Sequence, residues 1–283
     1  MALHLIQMAS PTGSLTWNDV LDLAATLSGV ARVRGRFLAY GVSSEVPGAK
    51  VPPARDGHLS ERTTALARAG LYNFLAASFG GPPSDEHVGA LYESGAIPLL
   101  VSKGIGGDGL WTWGKVLRPD RLAFELSTAY SQAFLRPGPK RSPLLASDYL
   151  QPALPVEASA ATSLSHGPAA EAVEAAYREA GLVVGGDGPI APQHLSVELQ
   201  FMHHCAACEA AAWGDGDPGR AGLWRSRQSR FLSNHLRQWA GGLADGLTRA
   251  EAHPYYRALA DLTVRFLSAD SLELAQPDLV PTG

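Results

Sequence analysis

Apolar residues recur at spacings of three to five along most of this chain. Nowhere do they alternate over a strand-length run, so the periodicity predicts helices and no sheet. Leu15, Val20, Leu23, Leu27, Val30, Val33 and Phe37 predict a first helix over 15–40, with Ser14 or Asn18 as its cap. Pro47, Gly48, Pro52 and Pro53 mark residues 41–57 as a linker. A second helix spans about 60–78, with Leu66, Leu71, Leu75 and Phe79 on its apolar face, and Gly80-Gly81-Pro82-Pro83 stops it. Ser84 caps a short helix to Gly95, and another runs over 118–134 before Pro137-Gly138-Pro139. Residues 142–167 read as loops and short turns. Pro168–Ala180 is an Ala/Glu-rich helix closed by Gly181, and a Gly-rich loop follows over 182–190. Three further helices follow, at about 192–213, 223–243 and 254–267. The architecture predicted is an all-α globule of roughly seven to ten helices, with an N-terminal extension over 1–58, a main domain over 59–270 and a tail over 271–283.

At 283 residues the chain is long enough to bury a sizeable core. Alanine is abundant and β-branched runs are scarce, which again favours helix. The net charge of −4 argues against a nucleic-acid binder that relies on a basic surface. No apolar run approaches the ~20 residues of a membrane span. The N-terminal Met1–Met8 segment has no basic region of the signal-peptide kind, and no Arg-Arg pair occurs in the chain. The expected compartment is the cytoplasm, and the two cysteines, three residues apart, give no disulfide framework.

Two stretches invite chemistry. Gly104-Ile105-Gly106-Gly107-Asp108-Gly109 matches the dinucleotide fingerprint literally, but that mechanism needs a strand before and a helix after. The following Leu110-Trp111-Thr112-Trp113 is a poor helix start, so a surface loop is the expectation. Cys205-Ala206-Ala207-Cys208, preceded by His203 and His204, offers at most three zinc ligands from one helix. A cysteine packed as a small hydrophobe is the simpler reading there. A metal- or nucleotide-binding helical protein using one of these two stretches is the alternative. No nucleophile elbow, His-Glu-x-x-His helix or Walker loop occurs, and nothing assembles an enzyme or a resident cofactor site.

The most informative segment is Ala191-Pro192-Gln193-His194-Leu195-Ser196-Val197-Glu198-Leu199-Gln200-Phe201-Met202-His203. Proline suits a first helical position, so the helix is expected to open at Pro192. His194 and Glu198 are spaced i, i+4 and share a face, while Leu195, Leu199 and Met202 form an apolar stripe. Titratable groups at the mouth of a buried helix, just after a Gly-rich loop, point to a binding site.

These residues resemble the hallmark of the TorD/DmsD/NarJ family of molybdoenzyme maturation chaperones, roughly Glu-x-x-Pro-Asp-His-Leu-x-x-Glu-Leu-x-Phe-Met. Pro192, His194, Leu195, Glu198, Leu199, Phe201 and Met202 match, whereas Gln193 replaces the family's Asp. The acidic residue before the proline is missing unless Asp187 substitutes for it. Further resemblance lies in Gln228, Phe231, Leu232, His235, Leu236 and Trp239, in Tyr255–Thr263, and more weakly in Tyr130, Phe134, Pro137, Gly138, Pro143 and Tyr149. It covers roughly 59–270.

The resemblance implies a cytoplasmic, non-enzymatic chaperone. Its partner would be the apo catalytic subunit of a molybdenum oxidoreductase, gripped through a signal or leader peptide and held for insertion of the bis-molybdopterin guanine dinucleotide cofactor before export. Pro192 and His194 inherit the peptide-binding role, and Gln193 inherits the position without the charge. Glu198, Trp111, Trp113, Tyr130 and Tyr149 complete the candidate client-binding set, with Trp111 and Trp113 as candidates for an apolar groove. The loop over 182–190 is a candidate hinge. The family occurs as monomers and as domain-swapped dimers.

Overall fold

The computed structural model describes residues 14–34, 59–115, 119–138, 140–150, 167–182, 184 and 191–276. The 41–57 linker and most of the 182–190 loop, with its hinge, lie outside the described residues. In order, the elements are α1 (Trp17–Arg34), α2 (Leu59–Phe79), α3 (Asp85–Glu93), α4 (Ala96–Ser102), α5 (Gly107–Lys115), α6 (Pro119–Tyr130), α7 (Ser147–Leu150), α8 (Pro168–Glu179), α9 (Leu195–Gly214), α10 (Pro218–Phe231), α11 (Arg237–Arg249) and α12 (Pro254–Leu274). No strand occurs among them, and the protein is all-α.

Local chemistry sets most boundaries. Pro168, Pro218 and Pro254 sit in the first turns of α8, α10 and α12, where a missing N–H is harmless. Ser84 Oγ accepts from the His87 N–H at 3.3 Å, and Asp217 Oδ1 accepts from the Arg220 N–H at 2.9 Å. Gly181 follows α8 at φ +77°, the left-handed turn that favours glycine. Two helices widen into single π turns, α6 at Ser131–Leu135 and α10 at Leu232–Leu236, the latter running directly into α11. The expected helix over 223–243 is therefore part of a longer α10–α11 unit. The α12 helix likewise extends beyond the expected end at Leu267, because Leu274 is buried too.

At the centre, α9 packs lengthwise on α2, and α10 lies against its other side. Burial of Leu195, Val197, Leu199, Phe201, Met202, Cys205, Ala206, Ala210, Ala212 and Trp213 wraps nearly all round α9. That makes it a core helix, not a surface helix with one stripe. On α2, Leu71, Leu75 and Phe79 are buried as expected, but Leu66 is 51% exposed. The inner face of that turn belongs instead to Ala65, Arg68 and Ala69. The α1 helix crosses α2 where Gly70 leaves room; a Cβ there would stand 3.0 Å from Ser28 Cβ. Lys103 Nζ ties α1 down further, at 2.7 Å from Asp19 and 2.8 Å from Asp22.

One buried polar cluster escaped the sequence reading. Arg68 on α2 lies at 2.5 Å from Asp270 of α12 and 2.8 Å from Glu209 of α9, and donates to Gln228 of α10 at 2.5 Å. Tyr72 O–H donates to the second Asp270 oxygen at 2.6 Å. Each carboxylate is paired and hydrogen-bonded, which is what burial of charge demands.

Two short helices bracket the Gly104–Gly109 segment. Ile97–Val101 lies inside α4 and not in a strand, and α5 begins at Gly107 despite its poor helix formers. The helix–turn–helix removes the strand that the dinucleotide mechanism requires, so that form of the nucleotide reading is corrected here.

Candidate functional site

The hallmark segment forms a turn before it forms a helix. Pro192 does not open α9; His194 caps it, with the Ser196 N–H donating to His194 Nδ1 at 3.2 Å. The Ser196 hydroxyl lies 2.8 Å from the same nitrogen. Imidazole competes with a proline start because it supplies the acceptor that the first N–H groups lack.

The chain over 143–149 clips this turn in place. The Ala146 N–H donates to Gln193 O at 3.1 Å and the Leu195 N–H to Leu144 O at 2.8 Å, making a single antiparallel bridge between Leu145 and His194. Side chains reinforce it. Gln193 is 2% exposed, and its Nε2 donates to Ser147 Oγ at 3.1 Å. Tyr177 on α8 donates its hydroxyl to Pro192 O at 2.9 Å. Pro192 itself is buried.

Beneath the turn lies Glu198, with no solvent exposure. Its Oε2 accepts from Trp239 Nε1 at 3.4 Å, and Oε1 has no hydrogen-bond partner among the described residues. Burial pushes its pKa up to about 8 from an ordinary 4.5, against the smaller opposing effect of the Trp239 bond. At neutral pH it is mainly a carboxylic acid. Burial also pushes the His194 pKa down to about 4, so its ring is neutral. Tyr149 stacks on Trp239 at 5.6 Å between centroids and donates its hydroxyl to Pro143 O at 2.9 Å. Its ring needs Gly242, where a Cβ would stand 2.9 Å from Tyr149 Cδ1.

The structure therefore brings together Pro192, Gln193, His194, Glu198 and Tyr149, and places the other three candidates elsewhere. Tyr130 is buried in an aromatic cluster with Phe134 and Tyr256, its hydroxyl donating to Phe79 O at 2.9 Å. Trp113 is mostly buried, donating to Glu125 Oε1 at 2.8 Å and meeting His253 edge-on. Trp111, by contrast, is 45% exposed, under the Lys115 ammonium.

Sequence reading missed Ser147 and Tyr177, which hold the turn, and Asp148, an exposed carboxylate next to Ser147 on α7. Nothing local signals them, because their role depends on how 143–149 and α8 dock on a turn far along the chain. The cysteine stretch offers less. Cys205 is fully buried, and Cys208 Sγ lies 3.5 Å from His204 Nε2. No group of three His, Cys, Asp or Glu among the described residues is placed to hold a metal ion.

No curated protein matches the chain. Residues 109–245, about half of it, match the family described as the nitrate reductase delta subunit. That stretch carries the whole clipped turn, and over it the chain is similar to this family of molybdoenzyme maturation chaperones.

Proposed function

We propose that this protein is a cytoplasmic chaperone for the catalytic subunit of one molybdenum oxidoreductase. It grips the N-terminal signal or leader segment of the apo subunit at the turn formed by Pro192, Gln193 and His194. It holds that subunit competent for insertion of the bis-molybdopterin guanine dinucleotide cofactor and delays export until folding is complete. The mechanism is binding and release, with no bond chemistry.

The observation that carries this reading is the convergence of the family match with the geometry. Inside the matched region, two chain segments some forty-five residues apart, around Ala146 and Gln193, are pinned together by paired backbone bonds. They hold an imidazole, an amide and a buried acid in one place. Such convergent polar groups over an apolar base suit an extended peptide, which offers backbone groups to the turn and side chains to the surface around it. Trp111 and Lys115, exposed on α5, are a second candidate contact for the client.

The test is affinity capture of the tagged protein from molybdate-fed native host cells, read by mass spectrometry. One molybdenum oxidoreductase subunit is expected with the wild type, and less with His194→Ala. His194→Asn retains a cap and so separates lost helix stability from lost recognition. Capture of no such subunit would overturn the proposal.

A further inference from the structure

The glycines at 104–109 floor a groove of about 540 Å³ between α5, α11 and α12. Two arginines of α12 line it. Arg265 Nε donates to Asp261 Oδ1 at 2.8 Å, and Asp261 Oδ2 accepts from the Gly106 N–H at 3.4 Å, so that pair is compensated within the protein. Arg257 is not. Its guanidinium has neither a hydrogen bond nor an ion pair among the described residues, although its Nε is sealed from solvent. Guanidinium N–H groups taken out of water are normally paired, because an unmet charged donor is costly. Arg257 Nη2 lies 3.1 Å from the position a Cβ on Gly109 would take. The cation therefore lies over the first turn of α5, whose leading N–H groups have no partner within the helix.

We infer that this groove holds one carboxylate, seated in the fork of the Arg257 guanidinium over the first turn of α5. The planar fork matches a carboxylate's two oxygens, and the helix start adds a favourable dipole. The other lining charges select against a polyanion. Asp245, also without a partner among the described residues, and Asp261 balance the two arginines. A nucleoside triphosphate would meet those carboxylates with several negative charges; a single carboxylate brings one. The occupant is therefore either a small organic acid or an acidic side chain of a partner protein.

The test is an amide NMR titration of the full chain with butyrate, with an acetylated and amidated Ala-Glu-Ala peptide, and with inorganic phosphate. Saturable shifts at Gly107 and Gly109 with butyrate or the peptide support the site, and the tighter of the two identifies the source. Arg257→Gln is expected to weaken binding about tenfold or more, with Arg257→Lys between, since lysine keeps the charge but not the fork. Gly109→Ala, at an ordinary φ, is expected to weaken it by displacing Nη2 while the remaining amide spectrum stays dispersed. No saturable shift with either carboxylate, an unchanged titration in Arg257→Gln, or tighter binding of phosphate would each overturn the inference.

Discussion

Glu198 gives a sharp physical prediction, because its acid is buried where ionisation is disfavoured. Its pKa rises from 4.5 in an ordinary setting to about 8 in the fold. A raised carboxyl pKa means that the unfolded chain ionises first. Stability is full below about pH 4.5, falls as pH rises, and levels off above about pH 8. The full difference corresponds to about 5 kcal/mol, of which about 3 kcal/mol is already lost at pH 7. Glu198→Gln removes the ionisation and keeps nearly the same shape. The amide oxygen still accepts from Trp239, and the amide nitrogen takes the place of an oxygen that has no partner among the described residues.

Urea unfolding of wild type and Glu198→Gln from pH 4.5 to 8.5 reads this directly. Taking the difference between the proteins cancels every other titrating group. The two should be about equally stable near pH 4.5, and the Gln variant should be more stable by up to about 3 kcal/mol at pH 7. Matching urea slopes would show that the compactness of the two states is unchanged. Parallel pH profiles, or a Gln variant less stable throughout, would refute the claim that Glu198 is a neutral buried acid.

Other positions yield simpler tests. Arg68→Met should cost about 3–5 kcal/mol in chemical unfolding, because it leaves Glu209 and Asp270 buried without their shared cation. Gly106→Ala should destabilise by more than about 1 kcal/mol, since φ is +74° and the new Cβ would lie 2.7 Å from Ala258 Cβ. Gly81→Ala meets nothing within 4 Å and should change thermal stability by less than about 0.5 kcal/mol. His194, with its pKa lowered to about 4, should make stability fall as pH drops below about 6.5. That acid-side loss should be absent from an His194→Asn protein followed by circular dichroism.

How much of this was legible in the sequence depended on the range of the interaction involved. The helices at α2, α3, α8, α9 and α12 follow from local signals: apolar spacing, Ser84 as a cap, Pro254 at a first position, Gly181 after an end. The start of α9 was misplaced because proline is a generic opener, while the cap that won is an imidazole whose acceptor role depends on its rotamer. Gly104–Gly109 is expected as a surface loop because glycines dominate it, yet α5 starts at Gly107, Ile105 and Leu110 are buried, and tertiary packing overrides weak propensity. Glu198 looked like a helix-face partner for His194. Instead it faces Trp239 while His194 turns to Ser196, a split that periodicity cannot express. The Arg68 cluster joins four helices, and no spacing rule connects residues so far apart along the chain.

The turn also bears on Gln193, where related chains are expected to carry Asp. In this fold its side chain is sealed and bonded to the Ser147 hydroxyl. A carboxylate in that place would need a cation or several N–H donors to remain ionised. With His194 neutral and Glu198 protonated, the turn carries no formal charge at neutral pH. If it grips a client segment, the free energy comes from shape, hydrogen bonds and desolvation, which salt screens little. Affinity for a client leader peptide should then change by less than roughly twofold between low and moderate salt. Asp148, exposed one residue from Ser147, is the local carboxylate that would behave otherwise. A steep loss of affinity with salt that disappears in Asp148→Asn would move recognition from the buried turn to the surface of α7.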